Sequence, residues 1–295
     1  MNTFDDQYIT FIKSVLSDGS ERITRSGAST ISIHGQMIKH DMSEGFPLTT
    51  LRNIPFRLIA SELKWTLDGK TDKKSLNKYD NYIWDKFCNP KYVKNFKPNQ
   101  ETYDLMKNQN DLGPIYGFQW RHFGAEYTGC DSDYTGQGFD QIKDLVEKLD
   151  KRVDSKRFVV TNWNPKDISE MAVPSCPCMF QIIRHGEKLN LSFFQRSTDC
   201  MVGLPFDFAF HALLLHLFCL QTGMKEGSVV GFFNNVEIFN QHIDGAKELI
   251  KREPKKLGIL KTDSFKNIFE WEFTDTQLVG YEPNERMKFE VNVSS

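Results

Sequence analysis

Several features are missing from this 295-residue sequence. It has no strong excess of charge: 37 Lys and Arg stand against 39 Asp and Glu, a formal balance of −2. Such a balance gives no general attraction to polyanions, so nucleic acid is not an expected partner and any anion must be held by a local cluster. No secretory leader is visible, since residues 1–7 are polar and acidic. The most apolar stretch, residues 208–220, is too short to span a bilayer and contains His211 and His216, so it reads as a buried core helix and no membrane partner is expected. The six cysteines (88, 130, 176, 178, 200 and 219) form no regular framework. Together with the missing leader, this favours free thiols in a reducing cytoplasm. Repeats and low-complexity tracts are absent.

What is present suits a globular chain with a large core. Hydrophobic residues make up 39 % and aromatics 13 %, and the 24 Phe point to a Phe-rich interior. Apolar spacing predicts helices over residues 4–16 and 139–149, and helices are also expected over 56–67, 206–220 and 239–251. Alternation predicts strands over 157–162, 178–183 and 188–194, the last two joined by a hairpin at His185-Gly186. Residues 30–38 read as a strand or a hairpin turning at Gly35, and 269–273 as a late strand. Residues 22–27 read as a basic, polar loop, while 89–110 and 124–138 look like surface insertions. The expected fold class is α+β: one domain over 1–295, with helices packed on a large sheet.

One stretch carries candidate chemistry. Cys176 follows Pro174-Ser175 in a turn, and about twenty residues later comes Gln195-Arg196-Ser197-Thr198-Asp199. If the intervening strands pair, Arg196 lies beside Cys176. A neighbouring cation lowers a thiol's pKa, and a thiolate is a good nucleophile. The Cys176-x-Cys178 spacing is not the Cys-x-x-Cys of zinc nucleotide deaminases, so no zinc or other metal site is expected there.

The wording around that cysteine resembles the thymidylate synthase family. The matching stretches include Thr24-Arg25-Ser26-Gly27, Ser43-Glu44-Gly45-Phe46-Pro47-Leu48-Thr49-Thr50 and Ile83-Trp84-Asp85. Further on come Asp111-Leu112-Gly113-Pro114-Ile115-Tyr116-Gly117, Gln119-Trp120-Arg121 and Gly203-Leu204-Pro205-Phe206-Asp207. The resemblance runs from about Glu21 to Lys288. It implies a large mixed sheet through which two copies pack as a homodimer, and a 5,10-methylenetetrahydrofolate co-substrate acting with a pyrimidine nucleoside monophosphate. By the same resemblance, Cys176 attacks C6 of the pyrimidine, Glu62 relays protons through water, and Tyr116 stands near the nucleophile. Arg25, Arg196 and Ser197 hold phosphate, Lys156 and Arg157 reach it from the partner copy, and Gln195 joins the substrate set. Trp84, Asp199, Gly203 and Phe206 face the folate, and the tail over 278–295 closes over it.

The departures from the family pattern shift the expected substrate. Asp207 stands where thymidylate synthases carry Asn. That amide accepts from N3–H of uracil and donates to O4, whereas cytosine presents the reverse pattern. A protonated Asp, or an ionised Asp facing a ring protonated at N3, fits cytosine and mismatches uracil, and buried mismatches discriminate strongly. Asp207 is thus expected to be catalytic as well as substrate-binding. Pro177 replaces a His after the nucleophile, Lys156 replaces an Arg, and Phe87 replaces a second Trp. Glu237-Ile238-Phe239 replaces a His-x-Tyr that binds the sugar, so Glu237 is expected to accept from a sugar hydroxyl. The polar tail suits a wetter site, in which water traps the transferred carbon. The expectation is a cytidylate 5-hydroxymethyltransferase acting on CMP or dCMP. A thymidylate synthase acting on dUMP is the alternative, and a catalytically silent nucleotide- or RNA-binding descendant is a rival of another class.

Overall fold

The structure, a computed structural model, describes residues 2–24, 27–93 and 99–290. The chain begins with α1 (Thr3–Asp18), which buries Phe4, Tyr8, Phe11, Ile12 and Val15 on one face. Asn2 caps it by accepting from the Asp5 N–H at 3.0 Å. Next come β1 (Ser20–Ile23), β2 (Ser29–Asp41), α2 (Phe56–Leu67), α3 (Lys73–Asn77), α4 (Gln100–Asn108) and α5 (Tyr116–Arg121). The second half holds α6 (Gln141–Asp150), β3 (Val159–Thr161), β4 (Pro177–His185), β5 (Lys188–Asp199), α7 (Gly203–Thr222) and β6 (Lys225–Phe239). Helix α8 (Ile243–Leu249), β7 (Ile259–Thr262) and β8 (Thr276–Val279) complete the described order.

Six strands form one sheet in the order β1-β2-β6-β5-β4-β3. Neighbours are antiparallel except β5 and β6, which run parallel and are joined across the sheet by α7. The fold is therefore α+β with a large mixed sheet, as expected. Helix α7 packs on β5 and β6. By length and composition alone it could cross a membrane, but its sides are buried as in a core helix. It exceeds the apolar stretch seen in the sequence because Gly203-Leu204-Pro205-Phe206-Asp207 extends its start and Gln221-Thr222 its end. Phe4, Phe118, Phe180, Phe193, Phe208, Phe218 and Phe233 are all fully buried, so the Phe-rich interior is real.

Several local expectations are corrected. Arg22 and Ile23 are not loop but part of β1, opposite Thr30 and Ser29. No hairpin turns at Gly35: β2 is one strand of 13 residues, and Gly35 takes a φ of +68° where pairing steps from His34–Asn235 to Gln36–Phe233. The helix expected over 239–251 starts later, because Phe239 ends β6. No strand covers 269–273; turns stand there, and the late strands are β7 and β8. The longest strand of the sheet, β6, has no counterpart among the expected elements.

The outer face of the sheet carries a row of paired apolar side chains: Met37, Phe232, Phe194 and Met179 on four adjacent strands. Phe232 is 44 % exposed and Met37 55 %.

Candidate active site

A cleft of about 680 Å³ opens where the ends of β4, β5 and β6 meet the first turn of α7, with α2, α5 and the turn holding Ile83, Trp84 and Phe87 forming the far wall. It gathers twelve of the expected site residues: Cys176, Glu62, Tyr116, Asp207, Gln195, Arg196, Ser197, Glu237, Trp84, Asp199, Gly203 and Phe206. Lys156 and Arg157 are not among its walls and are exposed ahead of β3. Arg25 lies outside the described residues.

Pairing of β4 with β5 brings the two halves of the nucleophile motif together, as expected. Pro177 stands opposite Gln195, and the Arg196 N–H donates to the Cys176 carbonyl at 2.9 Å. The Arg196 guanidinium donates to the carbonyls of Ser175 (3.0 Å) and Pro174 (2.5 Å), and its Nη2 lies 3.7 Å from Cys176 Sγ. The expected pull of the cation on the thiol is present, but the net shift is upward. Burial pushes Cys176 up to about 11; Arg196 pulls it down, but Asp207, Cys178 and Glu237 oppose that pull. Desolvation and three neighbouring acidic groups outweigh one cation. At rest Cys176 is a neutral thiol, with the guanidinium placed to stabilise charge once the proton leaves.

Four carboxyls line the cleft, Glu62, Asp207, Asp199 and Glu237, and all are held above their usual range. Glu62, on α2, is raised to about 8 by burial and by the charge of Asp207, although Trp84 Nε1 donates to it at 2.8 Å. Asp207, on the second turn of α7, is raised to about 7, again mainly by burial, and accepts from Gln195 Nε2 at 2.6 Å. Behind it His211 Nδ1 donates to the Asp207 carbonyl at 2.7 Å, and the imidazole stacks on Phe193 with centroids 4.0 Å apart. Asp199, at the end of β5, is raised to about 7 by burial. Its Oδ1 accepts from the N–H groups of Met201 (2.8 Å) and Val202 (3.2 Å), which shapes the entry to α7. Groups that hold or lose a proton near neutrality are what general acid–base chemistry requires. Tyr116 opens α5, and its hydroxyl accepts from the Cys176 N–H at 3.4 Å. Burial lifts its phenol well above the ordinary value, so it stays protonated.

Beyond Arg196, along the ends of β5 and β6, the cleft is polar. Asn235 Nδ2 donates to Ser197 Oγ at 3.0 Å, and Arg22 Nη1 donates to Asn235 Oδ1 at 3.2 Å. Glu237 sits beside this chain on β6; burial raises its pKa, partly offset by Asn235, Arg22 and Ser197. Of the folate-side candidates, Asp199 pairs opposite Glu237 on β5 and β6, and Trp84 lies edge-on to Phe87 with centroids 5.4 Å apart. Sequence reasoning missed Arg22, Asn235 and Trp163. The Trp163 ring lies under the Arg196 guanidinium, 5.8 Å from its centroid. Alternation along β6 could have exposed Asn235, had the strand been recognised. Among the described residues, no cluster of His, Cys, Asp and Glu is arranged to hold a metal ion.

A family model described as thymidylate synthase matches residues 6–293. The chain belongs to the thymidylate synthase family. It is 35 % identical over 288 residues to the thymidylate synthase of Varicella-zoster virus (strain Dumas), covering 97 % of this chain and 93 % of that protein. It is 34 % identical over 292 residues to thymidylate synthase 1/2 of Encephalitozoon cuniculi (strain GB-M1), covering 98 % and 97 %. A bifunctional dihydrofolate reductase-thymidylate synthase of Paramecium tetraurelia is 34 % identical over 290 residues, and there this chain spans only 61 % of the relative's length. The family transfers a one-carbon unit from methylenetetrahydrofolate to C5 of a pyrimidine nucleotide. None of these three relatives is named a cytidylate hydroxymethylase.

Proposed function

We propose that this chain hydroxymethylates C5 of a cytidine monophosphate, CMP or dCMP, with water completing the transfer. The observation that carries this reading is Asp207. A carboxyl held at about 7 can bear a proton near neutrality, and Gln195 Nε2 donates to its Oδ2. The other oxygen is then the one to donate to N3 of cytosine, while the 4-amino group donates to the carboxyl. Uracil offers N3–H and O4 instead and leaves a buried pair unmatched.

In this reading Cys176 loses its proton as sulfur bonds to C6, and the C5=C6 electron pair moves to C5. Arg196 stabilises the developing sulfur charge, Glu62 carries protons, and Tyr116 fixes the Cys176 backbone. Arg196 and Ser197 bind phosphate with Arg25, and Glu237 takes a sugar hydroxyl. Methylenetetrahydrofolate supplies the carbon when bound. Trp84 and Phe206 present apolar surface suited to its flat ring, with Asp199 as a polar acceptor and Gly203 leaving room beside them. The exposed apolar row on the sheet supports a homodimer in which the partner's Lys156 and Arg157 complete the phosphate site.

The test is tritium release from C5-labelled CMP, dCMP and dUMP, each with methylenetetrahydrofolate, followed by product mass. Release from a cytidine nucleotide with gain of CH2O is expected, and Asp207→Asn should reverse the preference toward uracil by at least about 100-fold. Release from dUMP alone, with gain of CH2, would overturn the reading. That second reading, a thymidylate synthase, is favoured by the names of the relatives.

A further inference from the structure

Lys73 opens α3 and is only 3 % exposed. Its ammonium donates to three backbone carbonyls: Met106 at 2.7 Å, Phe87 at 3.0 Å and Asp85 at 3.3 Å. Among the described residues no carboxylate pairs with it. An ammonium has three donors and no acceptor, so these carbonyls use its whole capacity. A buried ammonium whose three donors all go to backbone oxygens, with the Asp85 carboxylate as a more distant favourable charge, holds those oxygens in one arrangement, because any departure leaves its donors unmet.

The three carbonyls belong to two different parts of the molecule. Asp85 and Phe87 lie in the turn that carries Trp84, and this turn is also held by Asp85 N–H to Tyr82 and Phe87 N–H to Trp84 bonds at 3.1 and 3.0 Å. Met106 belongs to the last turn of α4 and is the only buried residue of that helix. Lys73 is itself fixed at its backbone, where its N–H donates to the Asn110 carbonyl at 3.0 Å. The turn it grips sends Trp84 and Phe87 into the cleft, and Trp84 in turn holds Glu62 at 2.8 Å.

We propose that Lys73 is a positioning residue that locks the Trp84–Phe87 wall of the cleft to α4 and so sets the affinity for folate. This rests on the reading of that wall as the folate side. Lys73 acts on the substrate only through the turn. Replacing it by Met keeps the apolar stem but strands three carbonyls.

Lys73→Met and Trp84→Ala are compared with the parent by C5 tritium release, using the nucleotide the parent turns over best. The KM for methylenetetrahydrofolate is expected to rise about tenfold in Lys73→Met, the size of effect that follows from unsatisfied buried acceptors. The KM for nucleotide should stay within about twofold. A purely structural lysine would lower the melting temperature and the active fraction while leaving both KM values unchanged, and that result overturns the proposal. If Trp84→Ala leaves the folate KM at the parent value, the reading of the wall itself fails. If Trp84→Ala raises it and Lys73→Met does not, only the role of Lys73 fails. Should Lys73→Met not fold, Lys73→Arg keeps the charge but cannot serve the same three carbonyls from one nitrogen, and it should raise the folate KM in the same way. If neither variant folds, Lys73 supports the whole fold rather than this wall, and the proposal is wrong.

Discussion

Glu62 and Cys176 are both uncharged at neutral pH, and for the same reason: burial penalises their ionised forms more than their neighbours favour them. This gives Glu62 a signature in stability. In the unfolded chain its carboxyl ionises near the ordinary value of 4.5, while in the folded protein it keeps its proton to about 8. Between those values the folded state binds the extra proton, so its contribution to stability is complete below 4.5 and is lost as pH rises to 8. Glu62→Gln removes this linkage. Urea unfolding from pH 5 to 8 should therefore show the parent losing stability relative to Glu62→Gln, with a slope difference approaching one proton. Parallel pH profiles for the two proteins would mean that Glu62 ionises normally in its pocket. Taking the difference between parent and variant cancels the opposite trend of His211, which burial holds down at about 4.

The strand that pins this chemistry together is β6, and it depends on a residue with no side chain. A Cβ at Gly231 would lie 2.7 Å from the rings of both Phe193 and Phe233. Phe193 is the ring on which His211 stacks, behind Asp207. Gly231→Ala is expected to cost about 1–3 kcal/mol by overpacking, read as a lower urea midpoint at unchanged m. An unchanged midpoint would show that the two rings move aside freely. The same strand marks the limit of what the sequence reveals. Helix α2 is legible because its apolar residues recur at helical spacing, α7 because a long apolar run stopped by Gly223 reads as a helix buried on all sides, and the β4–β5 hairpin because alternating residues flank His185-Gly186. β6 is hidden because Gly227, Gly231 and Asn234-Asn235 read as punctuation, whereas in the sheet those glycines make room for neighbouring side chains. The residues around Cys176 were legible through their resemblance to a family. Arg22 and Trp163 were not, since a lone cation and a lone aromatic have no pattern until the strands bring them to the cleft. The state of the thiol was misread because charge is visible in a sequence and desolvation is not.

For the molecule as a whole, the row Met37–Phe232–Phe194–Met179 is apolar surface facing outward. If two copies meet there, Phe232→Asp should give monomers by sedimentation and abolish turnover, since Lys156 and Arg157 would no longer reach a partner's phosphate site. A monomer that kept full activity would remove the partner's role. The order of the strands has another consequence. β2 is made early, yet it pairs with β6 from Thr30 opposite Phe239 to Asp41 opposite Ser228. The centre of the sheet therefore closes a loop of about two-thirds of the chain, a contact pattern that makes folding slow. During synthesis β2 waits for most of the polypeptide to leave the ribosome, with its edge toward β6 unpaired and its apolar side chains uncovered. Such a strand invites pairing with the wrong chain. Yield in a heterologous host should therefore depend more on translation rate and chaperone supply than on the stability of the finished fold.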